Sequence, residues 1–249
     1  MPNEGAAQRP AAPAGELAGR GGGSGPSVAH TMASADGRPP RRRWLARLWH
    51  AVARPVYRLL LRCIPAPEAW EEIPDVPVPE RAFGAGSTKP FSWYFEGDCA
   101  VRIASLSELS AWLLECAYVP DRVQFGEQDV WQHPIMFERT RKGDCDDHAV
   151  WAWRQLVALG FQARLYSGIW SPPTAPIRPP HVWVVFEDEA GREQLLESVS
   201  KLARTIIRPL EEARTEYTPF FSVGPDWRVR CHGGYVQHLL HPVARQPSW

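Results

Sequence analysis

The most constraining stretch of the chain is Arg139 to Phe161, RTRKGDCDDHAVWAWRQLVALGF. After Asp144 the apolar residues Ala149, Val150, Trp153, Leu156 and Val157 recur at helical spacing, and Gly160 closes the run. The spacing predicts one amphipathic helix with Cys145 on its first turn. The free backbone N–H groups and positive dipole end of a helix favour a thiolate over a thiol, so a cysteine placed there is a candidate nucleophile. Asp144 is a natural N-cap, and Asp147 three residues on imitates a capping box with Asp in place of Glu.

A nucleophilic thiol needs a base, and the base needs an acceptor to orient it. Pro180 to Phe186 (PHVWVVF) and Gln194 to Val199 (QLLESV) read as two strands, and Glu187-Asp188-Glu189-Ala190-Gly191 reads as the turn of a hairpin between them. His181 opens the first strand. Glu197 falls in the second, on the face of Leu195 and Val199 by two-residue alternation, and a carboxylate on an apolar face demands a partner.

Cysteine at a helix start, histidine at a strand start and a carboxylate on the next strand follow the order of a Cys/His/acid triad. On these residues the chain resembles the transglutaminase-like superfamily, above all its bacterial cysteine proteinases. The pieces that match are Asp129-Val130-Trp131-Gln132-His133-Pro134, Gly143-Asp144-Cys145-Asp146-Asp147, His181-Val182-Trp183-Val184-Val185 and Glu197, within about Val123 to Ser200. The third member in the family is commonly Asp or Asn, and here it is the longer Glu197.

The resemblance implies an α+β fold with a papain/transglutaminase-like core. In it, a helix bearing Cys145 packs on an antiparallel sheet bearing His181 and Glu197. It also implies a cysteine hydrolase, a protease or amidase, that forms a thioester on a peptide or carboxamide carbonyl. Two alternatives stand beside this: an acyl-transferring transglutaminase, and a non-catalytic transglutaminase-like binding module. Carried over loosely, Trp131 and Gln132 fall where an oxyanion donor is expected, and Trp183 joins them as a candidate cleft residue. No cofactor is required, but some members depend on calcium through acids flanking the cysteine. Asp144 and Asp146 hold those positions here. The competing reading is that Asp144 caps the helix and Asp146 is solvated. A transition-metal site of Cys145, His148, Asp144 and Asp147 is a chemical rival that lacks a second Cys/His cluster to complete it.

Composition narrows the partners. Lysine plus arginine and aspartate plus glutamate both number 28, so no net field recruits nucleic acid; the family resemblance implies a protein or peptide substrate. The 5 cysteines, Cys63, Cys99, Cys116, Cys145 and Cys231, form no CxxC pair, which speaks for a reducing compartment.

Residues 1–43, rich in Ala, Gly, Pro, Ser and Arg, read as a disordered tail without a secretory apolar run. Residues 44–64 form a basic amphipathic helical segment with Arg47, Arg54, Arg58 and Arg62 on one side and Pro55 interrupting it. Packing on the domain and peripheral contact with an anionic membrane compete for it, while its arginines argue against a span. The expected location is cytoplasmic or peripheral at a membrane surface. Residues 65–91 are a proline-rich connector, and 92–249 the catalytic domain, with a further helix over Leu106–Tyr118, a strand over Gln162–Ile169, a short helix over Ile206–Arg214 and more strands between Tyr217 and Leu240.

Overall fold

The computed structural model describes residues 65–173 and 176–240, and Val56. The readings of 1–43 and, Val56 apart, 44–64 lie outside the described residues. The helices are α1 (Leu106–Glu115), α2 (Asp121–Gln124), α3 (Pro134–Thr140), α4 (Cys145–Ala158), α5 (Ala203–Ile206), α6 (Leu210–Ala213) and α7 (Gly233–Leu240). The strands are β1 (Ala117–Tyr118), β2 (Lys142–Gly143), β3 (Ala163–Trp170), β4 (Pro180–Glu187), β5 (Glu193–Leu196), β6 (Ile207–Pro209), β7 (Tyr217–Val223) and β8 (Val229–Cys231). Strands β3 to β8 make one antiparallel sheet of order β6-β5-β4-β3-β7-β8, and β1 and β2 form a separate parallel pair. The fold is α+β, as the sequence implied.

Both faces of the sheet are covered, and β4 shows how. Val182, Val184 and Phe186 face the large core that contains α4, whereas Trp183 and Val185 join Trp70, Tyr166, Leu195 and Tyr217 in a smaller core on the opposite face. An apolar strand buried on two sides needs no polar alternation, which is why PHVWVVF reads as a continuous run.

Helix α4 is buried nearly all round rather than amphipathic. The sheet lies on one side, and α1 and α3 supply Trp112 and Phe137 on the other, with Trp112 and Trp151 stacked at 3.8 Å. The predicted helix end holds: Gly160 takes φ +90°, a conformation that glycine adopts without penalty.

The domain boundary moves. Residues 65–91 do run without long regular elements, but they belong to the same packed unit. Trp70 and Phe83 are core residues, the Ile73 N–H donates to Cys231 O at 2.9 Å, and the Gly86 N–H donates to the Asp129 carboxylate at 2.7 Å. The proline-rich piece is a wrapped flank, not a connector, and the folded unit takes in residues well before Ser92. Two further differences are local. The helix after Ser105 stops at Glu115 so that Ala117 and Tyr118 can pair beside Lys142 and Gly143. The end of the chain's described part, Gly233–Leu240, is a helix packed on β7 instead of another strand. Among the described residues no helix is long and apolar enough to cross a membrane.

Candidate active site and acidic cluster

Cys145 begins α4 and is half-buried. Asp144 is the N-cap by position, yet its side chain makes no capping hydrogen bond. Asp147 departs further from the capping-box expectation. Its carboxylate turns away to Gln132, accepting from the Gln132 backbone N–H at 2.7 Å and from the Gln132 side-chain amide. Gly143 is required by that turn, because a Cβ there would run into the Asp147 side chain.

His181 and Glu197 meet as the sequence order suggested. The His181 Nε2–H donates to Glu197 Oε2 at 2.8 Å in a buried pair. A carboxylate only accepts, so Nε2 carries the proton and Nδ1 is left as the basic nitrogen. Glu197 lies one residue past the end of β5, and its backbone N–H still bonds Ile206 O at 2.7 Å. Parity puts it with Leu195 and Trp183 on the smaller-core face, where Tyr217, unanticipated from sequence, donates its O–H to the same Oε2 at 2.6 Å. Burial alone would raise the Glu197 carboxyl, but His181 and then Tyr217 outweigh it and hold the group below its usual value. Trp170 and Trp183 flank the imidazole, with ring centroids 5.5 and 6.2 Å from it.

The thiol has the opposite surroundings. Desolvation, then the charges of Asp146 and Asp144, push Cys145 well above an ordinary thiol, opposed by the backbone N–H of Val182. Val182 follows His181 in β4. Asp146, a candidate calcium ligand that the competing reading left solvated, is buried, and burial followed by its aspartate neighbours raises it well above the carboxylate range. Burial lifts Asp121 to about 6 and Asp147 to about 7.

These carboxylates converge. Oxygens of Asp121, Asp129 and Asp146, and of Asp121, Asp144 and Asp147, lie within 4.8 Å of one another, and Asp144, Cys145 and Asp146 form a third such group. The Oδ1 atoms of Asp121, Asp144 and Asp146 are buried without a hydrogen-bond partner. Unpaired buried carboxylates cost several kcal/mol each unless protonated or paired, so this set fits an oxygen-preferring divalent cation. Asp121 was not singled out from sequence, and Asp129 entered only as the first residue of a matching piece, not as a ligand. Their signal was faint: an acid on a one-turn helix and another in a loop, brought together only by the fold.

The remaining candidates fall differently. Gln132 gives its amide hydrogens to Lys142 O at 2.9 Å and to Asp147, so its side chain positions Asp147 and has no hydrogen left for an oxyanion. Trp131 is buried among Phe83, Phe91 and Tyr94. Trp183 is fully buried beneath His181, a floor for the imidazole and not a cleft wall. His148 donates Nδ1–H to Asp144 O at 2.7 Å, and burial lowers it to about 4. It joins none of the ligand groupings found among the described residues, so the Cys145/His148 transition-metal site is not assembled. Cys99 and Cys116 are pushed up to about 12 by burial, which leaves Cys145 distinguished by its position, not by a singular titration.

No family model matches the chain, and no curated protein matches it. Solved structures do. Calcium-bound LapG of Legionella pneumophila aligns at 22% identity and TM-score 0.39, covering 51% of this chain and 66% of that one. The EGTA-treated form gives 22%, 0.36, 47% and 60%. A Cytophaga hutchinsonii protein assigned as a cysteine protease gives 13%, 0.30, 64% and 52%. In each of these three alignments the chain spans less than two thirds of the other chain's length.

Proposed function

We propose that this chain is a cysteine hydrolase of peptide or carboxamide bonds, with Cys145 as nucleophile, His181 as base and Glu197 as orienting acid. The observation that carries the reading is the buried His181–Glu197 pair at 2.8 Å, at the start of β4, with Nδ1 the basic nitrogen.

In this reading the Cys145 proton passes to His181 Nδ1 as Sγ bonds to the substrate carbonyl carbon. Glu197 holds the imidazolium that results. The carbonyl oxygen takes up the negative charge, and the backbone N–H of Cys145, unpaired at the start of α4, is the donor in reach. Collapse of the adduct breaks the C–N bond, His181 returns its proton to the leaving amine, and a thioester remains on Cys145. Water deprotonated by His181 then releases the acid and restores the thiol.

The acidic cluster supplies the control. Asp121, Asp144 and Asp146, with Asp129 and Asp147 beside them, would hold a calcium ion, and a bound cation would supply positive charge where two aspartates now oppose the thiolate.

The test is hydrolysis of a denatured-protein substrate pool, read by mass spectrometry, with and without calcium. New termini that vanish in Cys145→Ala and in His181→Ala support hydrolysis. Incorporation of a primary amine into glutamine would identify acyl transfer instead, and inactivity under both assays, with and without calcium, would favour a binding module.

A further inference from the structure

We infer that Tyr217 is a positioning residue of this site: its hydroxyl clamps Glu197 at the point where His181 can reach it. The inference rests on the proposed reading of His181 as the base, and it explains how a glutamate serves where a shorter acid is usual. A glutamate has one more rotatable bond than an aspartate, and Glu197 sits past the last paired residue of β5, so its backbone leaves the carboxylate end underdetermined.

Two features remove that freedom. The Tyr217 hydroxyl and the His181 Nε2–H converge on one oxygen, Oε2, at 2.6 and 2.8 Å. The other oxygen has only a long contact to the Val199 N–H at 3.4 Å. Tyr217 itself is held from both sides: its ring packs 5.0 Å from Trp183, and the Arg208 guanidinium, paired with Glu216 at 2.7 and 2.8 Å, lies beside the phenol. A cation beside the phenol strengthens the hydrogen that it gives away.

The sheet is bent to make the contact. Glu197 comes from the β5 side and Tyr217 from β7, with β4 and β3 between them. Register slips between Ser167 and Gly168, so that Ser167 pairs with Phe221 and Gly168 with Pro219, leaving Phe220 as the extra residue of a bulge. At Gly168 a Cβ would strike Thr218 O and crowd Pro219, so glycine is what lets β7 come close at the register of His181.

The test is solvent exchange of the His181 Nε2 proton, followed by NMR in the histidine-labelled full chain and assigned by its loss in His181→Gln. Melting temperature and the Cys145 alkylation rate are read on the same samples. Tyr217→Phe keeps the ring and removes the donor. The expected result is exchange faster by roughly tenfold, the size of one hydrogen bond to a charged group, with alkylation slowed several-fold and little change in melting temperature. Glu197→Asp withdraws the carboxylate without disturbing the aromatic packing and is expected to loosen the same proton, which keeps the claim testable if Tyr217→Phe does not fold. Unchanged exchange in the folded variants overturns the clamp. Cys145 alkylation that is indifferent to His181→Ala overturns the catalytic reading alone, because proton exchange still judges the clamp.

Discussion

The two halves of the site are built in opposite ways. Around His181 the acid–base chain is answered: the imidazole proton has Glu197 and Glu197 has Tyr217, and the only unpartnered polar atoms of the two flanking tryptophans are the indole N–H groups of Trp170 and Trp183. Around Cys145, buried carboxylates face one another with three oxygens unpartnered, and burial and the aspartate charges raise the thiol. In the proposed reading the base is complete in the protein alone, while the nucleophile waits for charge. That reading separates orientation, supplied by packing, from activation, left to a bound cation.

The largest expected effect comes from breaking the finished half. His181→Ala should slow hydrolysis by roughly a thousandfold or more, the usual scale for losing general acid–base assistance together with nucleophile activation. A rate within tenfold of the parent would show that Cys145 does not use this base.

The unfinished half is sharpened by filling it. Calcium at a hundred times its dissociation constant should stabilise the fold by about 2.7 kcal/mol. Asp146→Asn should raise the melting temperature of the metal-free chain and remove most of the calcium response; an unaltered response would place the ion elsewhere. Gly143→Ala tests the junction between the halves. Its new methyl collides with Asp147, and overpacking of this kind costs about 1–3 kcal/mol, measurable by denaturant unfolding. A neutral result would mean that the Asp147–Gln132 contact is free to shift.

The pH dependence is smaller and has a definite sign. Asp147 is lifted to about 7 and Asp146 well above the carboxylate range, so the folded state holds protons that the unfolded state has released, and stability falls as pH rises. Buried histidines act in the other direction: His148, lowered to about 4, excludes a proton that the unfolded chain binds, but that contribution is spent once pH passes about 6.5. Between pH 6.5 and 8 the acids are left to decide, and in EDTA the melting temperature should fall across that window. Calcium should flatten it. A melting temperature that rises with pH in EDTA would contradict the assigned burial of the cluster.

Much of this comparison could be read from the residues. The run GDCDD ahead of a periodic apolar helix fixed where Cys145 sits, and the hairpin around Ala190-Gly191 fixed the pairing of His181 with Glu197, because both depend on local periodicity and turn chemistry. What escaped was set by distant contacts. Tyr217 enters the site beside a bulge on β7, with two strands between it and the β5 side that carries Glu197. Asp121 and Asp129 join the aspartates of α4 only when α2 and the loop before α3 fold over them. Gln132 and Trp183 stood at plausible sequence positions, yet the first is committed to Asp147 and the second lies under the imidazole, and neither burial nor hydrogen-bond commitment is visible in spacing.

The central claim is that one half of the site is finished and the other awaits a cation. The most direct measurement is the rate of Cys145 alkylation by iodoacetamide from pH 5 to 10, read by peptide mass spectrometry in EDTA and in calcium, with His181→Ala alongside. The account predicts slow, high-pH alkylation in EDTA, a midpoint that moves down in calcium below the ordinary thiol value of about 8.5, and loss of that shift in His181→Ala. An identical profile in EDTA and calcium, or a calcium shift that survives in His181→Ala, would contradict it.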